Sequence, residues 1–483
     1  MNVFLKPSAE TEQVLALPRQ EKGRMKSNVS IQPDEQSRVG SSSAEAQKRA
    51  LKRNVYELAQ ERLRLIFETF DNIYISFSGG KDSGVLLNLL LDYMRRNGIT
   101  RKIGVFHIDY EIQYRQTLDY VEKFLQDNAD LLEVYRVCVP FKVQTCTSMH
   151  QQYWRPWEDD KKDIWVREMP KGCLTWKDFP FYNTDMWDYE FQARFAAWIH
   201  HKNKAKRTCC IIGIRTQESL NRWRCIYNNP SRFMGKRWIR QWPGGKICNA
   251  YPIYDWLTAD VWTANGKFGW PYNRLYDLFY MAGVPIESQR VASPFISQAI
   301  SSLRLYQAID PNTWGKMVGR VNGVNCAAIY GKTSALGWQN VKLPKGLTWE
   351  QYMHFLLSTL PEETRRNYLE KLSVSVRFWR DKGGCLADDT ISKLQQSGIP
   401  MQVEGKSNYR TTKKPVRMEY LDDISIPEFS QLPSFKRICI CILKNDHACK
   451  YMGFAPNKLE KTRRKKIMEK YQSLLDNKDG RDL

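Results

Sequence analysis

The chain has 483 residues, 42% of them hydrophobic, with 16 Trp and 12 Cys; its 74 Lys and Arg outnumber 52 Asp and Glu, for a formal charge of +22. This composition excludes a wholly disordered chain, and cysteines so sparse and scattered exclude a disulfide-stapled fold and fit a reducing compartment. The basic excess favours polyanionic partners (nucleic acid, nucleotides or an acidic protein), with a basic but non-binding surface as the alternative.

A length of this order predicts two or three domains. Residues 1–43 are polar, with Gly-Ser-Ser-Ser at 40–43, and predict a flexible tail. From Ala44 to Phe70 a long amphipathic helix is predicted, because Leu51, Val55, Leu58, Leu63, Leu65, Ile66 and Phe70 recur at helical spacing among charged residues. A strand at 72–77, a helix at 84–96, a strand at 102–108, a helix at 113–127 and a strand at 133–139 then alternate. Residues 140–185 read as an aromatic, irregular insertion, after which a helix over 185–202 and a buried strand over 208–214 resume the pattern. Such alternation predicts an α/β fold with a parallel, doubly wound sheet, and ligands at the carboxyl ends of its strands. Beyond the stretch YPIYDWLTADVW at 251–262 the chain reads as mainly helical to about residue 380 and mixed thereafter. The expected division is a tail over 1–43, a nucleotide-binding α/β domain with its leading helix over 44–265, a mainly helical extension over 266–455 and a basic helix over 456–483. No apolar run approaches the roughly 18 residues of a membrane span, and the N-terminus MNVFLKPSAETEQ lacks the apolar core of a secretion signal, so a cytoplasmic protein without a membrane partner is expected.

The first strand ends in Ser78-Gly79-Gly80-Lys81-Asp82-Ser83, directly before the leucine-rich helix. A Walker loop is excluded, since Ile75 stands at its first glycine position and Asp82 follows Lys81; the Gly-x-Gly-x-x-Gly dinucleotide turn is excluded as well. The turn still predicts an anion site. Gly79 and Gly80 allow close backbone approach, the helix N-terminus presents N–H groups and a favourable dipole, Ser78 and Ser83 add hydroxyls, and Lys81 adds charge. Asp82 repels a phosphate unless a metal ion intervenes or it caps the helix.

These six residues resemble the Ser-Gly-Gly-x-Asp-Ser loop of the N-type ATP pyrophosphatase (PP-loop) superfamily. Three later stretches, in family order, resemble phosphoadenosine phosphosulfate (PAPS) reductases: HIDYEIQYRQT at 107–117, GIRTQESLNRW at 213–223 and YPIYDWLTADVW at 251–262. The resemblance implies that the loop holds the pyrophosphate of ATP, or PAPS, with Mg²⁺, while AMP is transferred and pyrophosphate leaves. It implies nucleotide contacts at Ser78, Gly79, Gly80, Lys81, Asp82, Ser83, Asp109, Gly213, Arg215, Glu218, Ser219 and Arg222. Within that set Lys81, Asp82 and Arg215 are the expected catalytic residues, and Asp82 the expected Mg²⁺ ligand.

The residues also have readings of their own. Arg215 and Arg222 offer guanidinium forks for phosphate or sulfate oxygens, with Glu218 to orient one; the alternative is an Arg–Glu surface pair. Asp109 reads as a Mg²⁺ or ribose contact, or as a helix cap. Trp256, Val261 and Trp262 read as packing residues, and Asp260 as a cap or ion-pair member.

The chain departs from PAPS reductases at its end, LLDNKDGRDL, which lacks their Cys-Gly-x-His segment and with it the attacking thiol. Cys439, Cys441, His447 and Cys449 form a candidate zinc or iron–sulfur set; the alternative is a buried strand in which Cys439 and Cys441 are small apolar residues, as Cys209 and Cys210 are expected to be. The C-terminal region and the insertion CLTWKDFPFYN resemble the PAPS sulfurtransferase-like group that includes immunoglobulin-binding regulator A, which implies a ParB-like protein partner. The leading expectation is an enzyme that adenylates an acceptor, with or without sulfur transfer. The alternatives are a nucleotide-sensing regulator acting through nucleic acid or that partner, served by the basic KTRRKKIMEK near the C-terminus, a run that reads equally as a solvated helix face, and a PAPS reductase with a relocated thiol such as Cys449.

Overall fold

The computed structural model describes residues 53–291, 293–296, 299–300, 303–330, 341–405 and 413–454. The expected tail over 1–43 and basic helix over 456–483 lie outside the described residues. Helix α1 (Val55–Thr69) leads in, capped by Asn54, whose side chain accepts from the Glu57 amide at 2.9 Å. There follow β1 (Asn72–Ser76), α2 (Lys81–Arg96), β2 (Ile103–Ile108), α3 (Arg115–Asp127) and β3 (Leu132–Val137). The insertion contains only a two-residue antiparallel pair, β4 (Val143–Gln144) with β5 (Tyr153–Trp154), and short 3₁₀ turns. Next come α4 (Asp188–Lys202), β6 (Thr208–Ile212), α5 (Leu220–Tyr227), β7 (Ile239–Gln241), β8 (Ile247–Ala250), α6 (Thr258–Phe268) and α7 (Leu275–Met281).

These strands form a six-stranded sheet in the order β3-β2-β1-β6-β8-β7, parallel except for the edge strand β7. In its central strand Ile75 pairs with Val105 on one side and Ile211 on the other. The period of two in each strand divides the side chains between two cores. Ile73, Ile75, Val105, Cys209 and Ile211 pack with α1, α2, α3 and α6 on one face, while Tyr74, Phe106 and Cys210 pack with α4 and α7 on the other. Both faces are therefore covered, as the expected doubly wound fold requires, and Cys209 and Cys210 are core residues. Trp256 and Val261 are buried, and Asp260 accepts from the Leu257 amide at 2.7 Å at the start of α6.

The remaining described chain is largely helical: α8 (Leu305–Ile309), α9 (Pro311–Arg320), α10 (Val324–Tyr330), α11 (Trp349–Ser358), α12 (Glu362–Asp381), α13 (Asp388–Gln396) and α14 (Phe435–Leu443). A small antiparallel sheet joins β10 (Gln402–Val403), β11 (Lys414–Arg417) and β9 (Gly384–Leu386). One expectation is corrected here: Cys439 and Cys441 lie in α14, not in a strand. Ser434 caps this helix at the Arg437 amide, and residues 437–442 are all buried. A helix buried around its circumference shows neither period in sequence. Among the described residues no helix is long and apolar enough to cross a membrane.

Candidate nucleotide-binding site

The chain proceeds from β1 through α2 to β2 on one side, and β6 lies on the other, so the direction of winding reverses between β1 and β6. Ligands of open α/β sheets sit at such a reversal, beyond the carboxyl ends of the strands. The loop 78–83 follows β1 and the loop 213–219 follows β6, so both occupy this place. Gly79 adopts φ +73°, and a Cβ there would lie 2.8 Å from Val121 Cγ2; conformation and space both demand glycine. Gly213 passes so close to α2 that a Cβ would meet the Asp82 carbonyl oxygen at 2.9 Å. The serines brace the turn: the Ser78 amide donates to Ser83 Oγ at 3.2 Å, and the two hydroxyls are 3.0 Å apart. Asn273, from the α6–α7 connection, donates to the Gly79 carbonyl at 3.0 Å. Helix α2 begins at Lys81, so its first-turn amides and positive dipole end face the same place.

The charged residues of the two loops meet. Asp82 Oδ1 accepts from Arg215 Nε at 2.6 Å, and Lys81 Nζ lies 3.6 Å from Asp82 Oδ2. Arg215 is 2% exposed and also donates to the carbonyl of Trp256 at 3.3 Å and to Gln217 Oε1 at 3.1 Å. Glu218 accepts from the Arg215 amide at 3.2 Å and pairs with Arg222, while Ser219 caps α5 at the Arg222 amide. Lys81 is buried; its Nζ donates to the Gln289 carbonyl at 3.0 Å, and desolvation pushes its pKa down. Both Asp82 oxygens thus face cations, a setting that does not fit the expected Mg²⁺ ligand.

Asp109 is placed differently. It ends β2 on the same edge of the sheet, but its Oδ1 pairs with Arg167 and accepts from the Glu111 amide at 3.0 Å. Next to it, Glu111 is fully buried at φ +67° and takes both oxygens to Arg320 of α9, at 2.9 and 3.1 Å. Sequence reasoning missed Glu111, Arg167, Tyr276, Gln289 and Arg320. Glu111 stands inside a quoted motif, and its acidity was the one available signal; Gln289 acts through its backbone and Tyr276 through a hydroxyl that accepts from the Lys81 amide at 2.9 Å.

The four expected metal ligands do not converge. Residues i and i+2 on a helix point about 200° apart, and Cys439 Sγ accordingly meets the Trp349 carbonyl at 3.5 Å while Cys441 Sγ meets the Asp446 carbonyl at 3.6 Å. Cys449 neighbours Cys441, and His447 Nε2 bonds the Ser148 carbonyl at 3.0 Å. Among the described residues no three His, Cys, Asp or Glu side chains form a metal-holding group. Cys449 is fully buried within the C-terminal core, where no substrate reaches its sulfur.

Comparison with known proteins finds two family profiles along the chain. A family profile described as a phosphoadenosine phosphosulfate reductase domain covers residues 72–282, and one described as a domain of unknown function (DUF3440) covers 283–463. The uncharacterized protein YbdN of Escherichia coli is 34% identical over 411 residues, 84% of this chain and 91% of that protein. The uncharacterized protein MJ0973 of Methanocaldococcus jannaschii is 26% identical over 205 residues, 42% of this chain and 38% of that protein. Among solved structures, the PAPS reductase of Candida auris, a phosphate complex, is 20% identical, with 46% of this chain and 84% of that chain covered at a TM-score of 0.27. The chain belongs to the PAPS reductase family and joins that domain, over residues 72–282, to a DUF3440 region over 283–463.

Proposed function

We propose that the chain binds ATP, or PAPS, in the loop Ser78–Ser83 and works as an ATP pyrophosphatase-like enzyme. An acceptor atom attacks the α-phosphorus of ATP, the bond to the bridging oxygen breaks, AMP passes to the acceptor and pyrophosphate leaves. The observation that carries this reading is the braced loop at the winding reversal, with its left-handed Gly79, the start of α2 and the cations Lys81, Arg215 and Arg222 on adjoining segments. Amides and helix dipole hold the departing pyrophosphate, and positive charge stabilises the charge that develops on it. Lys81 is the group suited to touch the phosphates. Arg215 holds Asp82 and acts as a positioning residue, as does Asp82 itself. Sulfur transfer onto the adenylated acceptor is the extension of this reading.

The test is calorimetric titration of the full chain with ATP and with PAPS, followed by incubation with α-labelled ATP, Mg²⁺ and cell extract as a source of acceptors. Micromolar binding with pyrophosphate release and a labelled acceptor is expected. Failure to bind either nucleotide would overturn the reading. Tight binding without turnover would instead favour the regulator, whose affinity for nucleic acid or for a ParB-like partner should then change with nucleotide.

A further inference from the structure

A cavity of about 750 Å³ lies beyond the carboxyl end of β3; the insertion builds most of its wall and α9 contributes Lys316. No residue of the loop 78–83 lines it, and it adjoins the nucleotide edge through Arg167, the partner of Asp109. Three tryptophans line it: Trp157, Trp165 and Trp176. Each indole N–H is already engaged within the protein, Trp157 with the Asp109 carbonyl at 2.7 Å, Trp165 with the Glu158 carbonyl at 2.9 Å and Trp176 with Asp159 Oδ2 at 3.0 Å. The rings are thereby fixed in orientation and offer the cavity π surface rather than donors. Trp157 is the most constrained. It is 1% exposed at φ +54°, its amide donates to Glu111 Oε2 at 2.8 Å, and its ring meets that of Trp165 edge-on at 5.2 Å between centroids. An uncommon backbone conformation held from several sides is a feature of binding sites. Trp176, by contrast, is 38% exposed and open to a ligand.

The charges stand around this aromatic lining. Arg167 is neutralised by Asp109, and Asp159 is engaged with Trp176. Lys162, Lys177 and Lys316 are exposed and come from three separate segments; among the described residues none of them pairs with a carboxylate, which leaves Glu168 as their counter-charge in the lining. Lys162 and Lys177 each lie beside a ring, 6.0 Å from Trp165 and 5.6 Å from Trp176. A ligand matched to this arrangement puts a flat aromatic body inside and keeps negative charge outside, at more than one point. A small aromatic anion carries its charge in with the ring. Phosphates that follow one another past the mouth meet all three lysines, and a duplex cannot supply the ring because its bases are paired and stacked.

We propose that this cavity receives one unpaired base of a single-stranded nucleic acid, stacked on Trp176, while the flanking phosphates lie along Lys162, Lys177 and Lys316. The volume is of the size that takes a small organic group such as a base with its sugar. The site stands independently of the reading of the loop 78–83.

Fluorescence polarisation of the full chain tests this, with labelled oligothymidylate of about 12 residues set against an abasic strand and a duplex of the same length. Affinity contributed by the basic KTRRKKIMEK acts on phosphates and is felt alike by both single strands. The unsubstituted chain should bind the base-bearing strand about tenfold more tightly than the abasic one; Trp176→Ala should remove that margin and leave abasic binding unchanged, and Trp176→Phe should keep most of it. Lys316→Gln should weaken both strands and reduce the slope of log K against log salt by about 0.7. Equal affinity of the unsubstituted chain for the two strands would overturn the proposal without any variant, and so would an undiminished margin in Trp176→Ala. A duplex bound as tightly as the strand would overturn the unpaired base. Thymidine monophosphate displacing the strand at equal nucleotide concentration would overturn the strand in favour of a free nucleotide.

Discussion

At the scale of single residues, glycines separate two physical costs. Gly79 combines φ +73° with a Cβ position 2.8 Å from Val121, whereas Gly98 has φ +61° with nothing within 4 Å. A side chain at either position suffers the left-handed penalty of about 1–2 kcal/mol, but only at Gly79 does it also crowd a packed helix. Gly79→Val should therefore lower unfolding free energy in urea by roughly 2–4 kcal/mol and abolish nucleotide binding; Gly98→Ala should cost only the first term and leave binding intact. A second residue-scale prediction concerns acid. His107 is 1% exposed in β2, its Nδ1 2.8 Å from the Phe77 carbonyl at the root of the loop, and burial lowers its pKa below 6.5. Once the pH falls below 6.5 the unfolded chain binds a proton that the folded chain resists, so this contribution to stability is present above 6.5 and is lost as pH falls towards the folded pKa. Unfolding free energies measured from pH 7 to 5.5 should decline, by up to about 1.4 kcal/mol per pH unit for each such histidine. His107→Asn should flatten the decline without removing it, because burial shifts His200, His201 and His447 the same way.

At the scale of elements, α14 shows where a sequence pattern and its geometry part. Cys439 and Cys441 would share one face of a strand, but on a helix they diverge, and both sulfurs find backbone carbonyls instead. Purified protein is accordingly expected to carry no stoichiometric zinc or iron by elemental analysis, and a chelator should leave its thermal midpoint unchanged; a drop of several degrees with metal release would contradict this geometry. The contrast with the sheet is instructive. Strands β1, β2 and β6 were legible because each is a short apolar run followed by a turn and a helix, two periods that do not resemble each other. Both loops of the nucleotide edge were legible because Gly79, Gly80 and Gly213 stand at strand ends, where close approach is needed. Strands β7 and β8 went unseen; they are three and four residues long, too short for a period. Asp109 was legible as a residue of the edge, but its partner was not, because Arg167 reaches it from an insertion without any regular pattern.

At the scale of the whole molecule, the DUF3440 region is built into the nucleotide edge. Gln289 takes the Lys81 ammonium, Arg320 takes the Glu111 carboxylate, and the Phe295 carbonyl accepts from the Cys146 amide at 2.8 Å. The Arg320 and Glu111 side chains are 1% and 0% exposed, so neither charge is solvated; Glu111 also accepts from the Trp157 and Val166 amides, and Arg320 also lies 3.5 Å from Glu158. Removing one partner of such a pair typically costs about 3–5 kcal/mol, while replacing both by neutral groups costs far less. Arg320→Met and Glu111→Gln should each lower stability by roughly that amount, and the double variant by well under the sum, a coupling that urea unfolding of the four proteins measures directly. The same logic reaches the fragment that ends at residue 282: it retains every strand of the main sheet but buries Glu111 without its arginine and leaves Lys81 without Gln289. That fragment should be insoluble or molten, whereas a chain spanning 53–454 should unfold cooperatively, and an equally stable 53–282 fragment would show that the DUF3440 region is an attachment rather than part of the nucleotide domain. Because Glu111 lies two residues from Asp109, whatever displaces α9 moves charge at the edge where the nucleotide is expected, so the four stability measurements should rank in the same order as the four nucleotide affinities.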